Sequence, residues 1–78
     1  MSGNEETTTT AGTVEEVLPN SLFRVRIPAQ EEEGEGDLVL AYLAGKMRLH
    51  RIRVLVGDQV DMVLDPYGGR ARIVRRLT

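Results

Sequence analysis

The run Asp37-Leu38-Val39-Leu40-Ala41-Tyr42-Leu43-Ala44-Gly45-Lys46-Met47-Arg48-Leu49 changes character halfway. Leu38, Leu40 and Tyr42 alternate with Val39, Ala41 and Leu43, so Asp37–Leu43 is apolar on both parities, as in a strand covered on both faces. In a chain this small, one of those faces meets a partner or a neighbouring segment. Ala44–Leu49 is then the one place in the sequence suited to a helix, about one or two turns long.

Upstream, Leu22–Ile27 reads as the clearest strand, with Phe23, Val25 and Ile27 inward and Arg24 and Arg26 outward. Pro28 stops it. Gly12–Leu18 precedes it, and its alternation slips at Glu15-Glu16, which predicts a bulge or strong bend. Pro19-Asn20 predicts a tight turn, because proline fixes φ and asparagine tolerates a left-handed backbone. Met1–Ala11 offers nothing to bury and reads as a frayed tail, leaving 12–78 as the folded domain; Thr9 and Thr10 could extend the first strand. Ala29–Gly36, with four glutamates and two glycines, reads as a mobile, solvated loop. It lacks the alternating acidic spacing of a calcium loop.

Downstream, Ile52–Val56 is apolar with Arg53 outward, and Val56-Gly57-Asp58 turns the chain. Gln59–Leu64 resumes alternation, Pro66-Tyr67-Gly68-Gly69 turns again, and Arg70–Leu77 closes as a strand with Ala71 and Ile73 inward. Five short strands with close-set turns predict an all-β closed barrel. A short helix between strands 3 and 4 is the order of the OB-fold. Closure also removes the open edges of a five-stranded sheet.

The net charge is −2 in 78 residues, unevenly divided. Residues 1–40 carry nine acids and two bases, −7, and residues 41–78 carry three acids and eight bases, +5. A polyanion responds to the local field, so the second half is a candidate surface for one unless folding sets the acids beside the bases. Lys46, Arg48, Arg51 and Arg53 fall within eight residues, with His50 among them. Clustered bases neutralise phosphates and release counterions, and arginine also stacks on bases. Tyr42 and Tyr67 are either stacking platforms or fillers of a core gap or turn. His50 is either an RNA donor or a surface residue at a helix end. Phe23 reads as core. Aromatics are too few for a binder driven by stacking, so phosphate and shape contacts to folded RNA fit better.

Enzymatic chemistry is poorly served: the chain has no cysteine, Ser2 and Ser21 lie in tail and turn, and His50 has no nearby acid. No metal site is expected among the cations around His50, and no cofactor. No span approaches the roughly 20 apolar residues of a membrane helix, and no secretory signal opens the chain, so a cytoplasmic protein is expected.

Gly12-Thr13-Val14, Leu18-Pro19-Asn20, Phe23-Arg24-Val25, Gly45-Lys46-Met47-Arg48, Ile52-Arg53-Val54-Leu55, Gly57-Asp58-Gln59-Val60, Pro66-Tyr67 and Arg72-Ile73-Val74 follow in an order that resembles bacterial translation initiation factor one. The resemblance covers roughly Gly12 to Arg76. It implies an OB-fold docked in the aminoacyl-tRNA site of the small ribosomal subunit. There it would block elongator tRNA and assist initiation factors two and three, touching the decoding region of the rRNA and a ribosomal protein. It implies rRNA contacts from Lys46, Met47, Arg48, Arg53, Arg24 and Arg72. The residues add Tyr42, His50, Arg51 and Arg70 to that set, in a protein monomeric when free. The alternatives are an OB-fold RNA-binding protein or RNA chaperone without ribosome specificity, and a protein-interaction barrel. Three departures from the family pattern stand out: the long acidic loop Pro28–Asp37, expected to point away from RNA; the short turn at Gly68-Gly69-Arg70; and arginine at positions 51 and 75.

Overall fold

The computed structural model describes residues 8–28 and 36–78. The expected amino-terminal tail lies largely outside these residues, and most of the acidic loop lies outside them too. Strand β1 (Thr10–Leu18) starts two residues before Gly12, because Thr10 and Ala11 already pair with a later strand. A tight turn, Pro19–Ser21, leads into β2 (Leu22–Ile27). Then come β3 (Asp37–Leu43), α1 (Gly45–Leu49), β4 (Gln59–Val63) and β5 (Ala71–Arg76). The strands close in the order β1-β2-β3-β5-β4 and back to β1. All neighbours are antiparallel except β3 and β5, which run parallel through Ala41↔Ala71, Tyr42↔Arg72 and Leu43↔Ile73.

The expected bulge is present, at Glu15. Val14 faces Val25 and Glu16 faces Arg24, so Glu15 is the extra residue. Strict alternation would have put Glu16 on the side of buried Val14; the bulge turns both glutamates outward. A second shift sits between β4 and β5. Asp61 faces Arg75 and Met62 faces Ile73, which leaves Val74 as the extra residue and turns Arg75 out.

Val14, Phe23, Val25, Ala41, Val60, Met62, Ala71 and Ile73 fill the barrel, and Met47 and Val54 complete the core. Gly12 is required by close approach. A Cβ there would lie 2.7 Å from Val25 Cγ1 and 2.9 Å from the Arg26 carbonyl oxygen.

Ile52–Val56 forms no regular element, and of its residues Val54 alone is buried. The following turn fixes the segment. Gly57 has φ +95°, open to glycine at little cost, and its N–H donates to the Val14 carbonyl at 2.8 Å. The Val14 N–H donates to the Asp58 carbonyl at 2.9 Å, and the Leu55 N–H to the Asp58 carboxylate at 2.9 Å. This explains the local sense of Gly57-Asp58: a left-handed residue, then an acceptor that caps the loop before it.

Candidate nucleic-acid interface

Helix α1 has only five residues and no side-chain cap at its start. Such a helix does not stand alone in water and depends on tertiary anchoring. Met47 supplies the anchor: its side chain is 2% exposed, inside the barrel core. Met47 is therefore the peg that fixes its neighbours. Lys46 and Arg48, on either side of it, are exposed.

The helix ends in a two-bond cap. The Ile52 N–H donates to the Met47 carbonyl at 3.0 Å and the Arg51 N–H to the Arg48 carbonyl at 3.1 Å. This pattern requires a left-handed residue after the helix, and Arg51 occupies that place with φ 57°. His50 is the exposed residue just before it.

Tyr42 joins helix and barrel wall. It is 38% exposed, stands opposite Arg72 in the parallel register, and borders two depressions. One is lined by Tyr42, Arg70, Arg72, Val63, Leu64 and Asp65 among others. The second is lined by Tyr42, Leu43, Arg48, Asn20 and Ser21. Arg48, Tyr42, Arg72 and Arg70 thus form one band. On another side of the helix, Lys46, Met47, His50, Ile52, Val74, Arg75 and Arg76 line a third hollow. The Arg76 guanidinium donates to the Arg53 carbonyl at 2.7 Å, holding the closing strand to the loop beyond α1.

Arg24 lies apart. Its guanidinium donates to Glu16 at 3.1 Å across the β1–β2 pair. Next to it, Arg26 makes a two-pronged pair with Glu15, at 2.9 and 3.2 Å. That bond holds the Glu15 carboxyl below its ordinary range. Arg75 pairs with Asp61 at 2.7 Å. Among the described residues, no carboxylate pairs with Lys46, Arg48, Arg51, Arg53, Arg70, Arg72 or Arg76. Folding therefore cancels part of the positive charge and leaves the band around α1 and β5.

Arg76 was not singled out by the sequence, and Arg75 only as a departure from the family pattern; the basic run that closes the chain was the available signal. Asn20 and Ser21 were legible only as a turn, and both have left-handed backbones, φ 68° and 62°. Tyr67 is 93% exposed, which excludes the core-filling role. No group of three or more His, Cys, Asp or Glu among the described residues could hold a metal ion. No helix among them is long and apolar enough to cross a membrane.

A closed five-stranded barrel with a short helix between its third and fourth strands defines an OB-fold protein. The family model described as translation initiation factor 1A / IF-1 matches residues 1–78. Translation initiation factor IF-1 of Rhodospirillum rubrum is 48% identical over 66 residues, which cover 83% of this chain and 63% of that protein. The matched part therefore spans just under two thirds of that relative's length. The solution structure of translation initiation factor IF-1 from the Wolbachia endosymbiont of Brugia malayi superposes with a TM-score of 0.69 at 28% identity. The match covers 91% of this chain and 78% of that one. YjeQ from Thermotoga maritima gives a TM-score of 0.68 at 25% identity, covering 91% of this chain and 23% of that one. The chain belongs to the translation initiation factor 1A / IF-1 family, on its bacterial side, and that is a family of translation factors rather than of enzymes.

Proposed function

We propose that the protein binds the small ribosomal subunit at the aminoacyl-tRNA site as a monomer, through contacts with rRNA in the decoding region and a neighbouring ribosomal protein. By occupancy it blocks elongator tRNA, and it assists initiation factors two and three in the cytoplasm. No covalent chemistry is involved. The observation that carries this reading is the band of cations without carboxylate partners among the described residues, around Tyr42 and α1, in a chain of this family. Lys46, Arg48, Arg51, Arg53, Arg70 and Arg72 take phosphates, Tyr42 and His50 meet bases or sugars, and Met47 holds α1 in place. Arg24 joins only where Glu16 releases it.

Binding to purified small subunits at rising salt tests the reading. Each neutralised phosphate contributes about −0.7 to −0.9 to the log–log slope. The Lys46→Glu, Arg48→Glu double variant, still folded, is expected to bind more weakly with a slope shallower by about two. Initiation factors two and three should strengthen wild-type binding. Equal binding to unstructured RNA would replace this reading with that of an RNA chaperone.

A further inference from the structure

Arg51 stands in the left-handed position that ends α1, where glycine is the usual occupant because a Cβ there crowds the following carbonyl. At its other left-handed positions outside the Pro19–Ser21 turn, the described chain uses glycine: Gly36, Gly57 and Gly68. Within that turn it uses Asn20, which tolerates the conformation, and Ser21. Arg51 is the one bulky exception. Nothing in the fold requires its side chain. It is exposed, and among the described residues its guanidinium forms no ion pair and no hydrogen bond. A cation after the last turn gains from the helix dipole. That gain is small for five residues, and Lys46 and Arg48 already lie in the last turn.

We propose that Arg51 is a stability-for-binding trade: the chain keeps arginine in a glycine position because its guanidinium takes an RNA phosphate beside Lys46 and Arg48. Backbone conformations that cost free energy persist where function holds them. The left-handed turn also redirects the chain after α1. The RNA in question rests on the reading above. The trade itself concerns a phosphate on any RNA the protein binds.

The test compares Arg51→Gly, Arg51→Asn and Arg51→Lys in thermal melting and in salt-dependent binding, both to small subunits and to a single-stranded RNA oligonucleotide. Arg51→Gly should melt about 4 °C or more above the wild type. It should also bind about tenfold more weakly, with the slope shallower by about one. Arg51→Asn should move both readouts the same way, by less in stability. Arg51→Lys should melt like the wild type and keep the slope. A glycine variant no more stable than the wild type would overturn the proposal, as would glycine and asparagine variants that bind with unchanged slope. If the wild type shows no preference for subunits over the oligonucleotide, the ribosomal reading falls. The same variants then decide the trade on the oligonucleotide alone, a lost slope supporting it and an unchanged one sinking it.

Discussion

On the β1–β2 face, Arg24 and Arg26 each lie against a glutamate across the strand pair, at 3.1 and 2.9 Å. On the α1–β5 face, Lys46, Arg48, Arg70 and Arg72 have no carboxylate against them among the described residues. Both faces are rich in arginine, yet only the second presents an uncompensated field. The difference comes from one bulge. Glu15 as the extra residue of β1 turns both glutamates outward, where β2 sets its arginines. Arginine count is thus a poor guide to a binding surface, and cross-strand register is a better one.

Removing the peg beneath the cationic face should have the largest effect. Met47→Ala empties a buried site and should cost about 2–5 kcal/mol in urea or guanidinium unfolding. It should weaken subunit binding further than the stability loss alone explains, because α1 has no other anchor of comparable burial. A milder change compares the faces directly. Arg72→Gln should reduce the salt slope by about one, and Arg24→Gln by clearly less. Equal losses would mean that RNA strips Glu16 from Arg24, and the contrast between the faces would disappear on binding. The contrast can also be reversed. Glu16→Gln should unmask the Arg24 guanidinium and steepen the slope for single-stranded RNA by up to about one. Stability should change little, since exposed pairs are worth about 0–1 kcal/mol. The smallest effect follows from Glu15, whose carboxyl is held below its ordinary range by Arg26. Because the folded value is the lower one, the pair stabilises at pH above the ordinary carboxylate range. That contribution fades as pH falls through the lowered value. The difference in urea midpoint between wild type and Glu15→Gln should therefore be present at neutral pH and vanish in acid.

Much of the barrel was legible because period-2 alternation and turn chemistry are local. Leu22–Ile27 declared its faces, Glu15-Glu16 declared the bulge, and Pro19-Asn20 declared the left-handed turn. The site was legible as a charge cluster but not in its division of labour. Met47 sits in a basic motif, and only the path of α1 over the barrel end shows that it points inward. The pairing of Arg24 with Glu16 spans eight residues and depends on register. The hollow that gathers Lys46 with Arg75 and Arg76 joins residues that only barrel closure brings together. Ile52–Val56 was legible as an apolar run, yet its backbone bonds go to Met47, Asp58 and the Arg76 side chain rather than into a strand pairing.

The docking of Gly57-Asp58 on Val14 carries a consequence for synthesis. Strand β1 leaves the ribosome before the other strands and finds β2 soon after, since a three-residue turn separates them. Its other edge waits for residues 57–62, which bond Val14 and pair with Thr10 to Thr13. Until then a strand with one open edge is exposed on a half-made protein. Such distant pairings slow folding, because the intervening chain must be ordered before they form. The growing chain is thus open to mispairing until residues 57–62 have emerged. The strand that starts the barrel gains its second neighbour only when β4 is made, after β2 and β3 are already out.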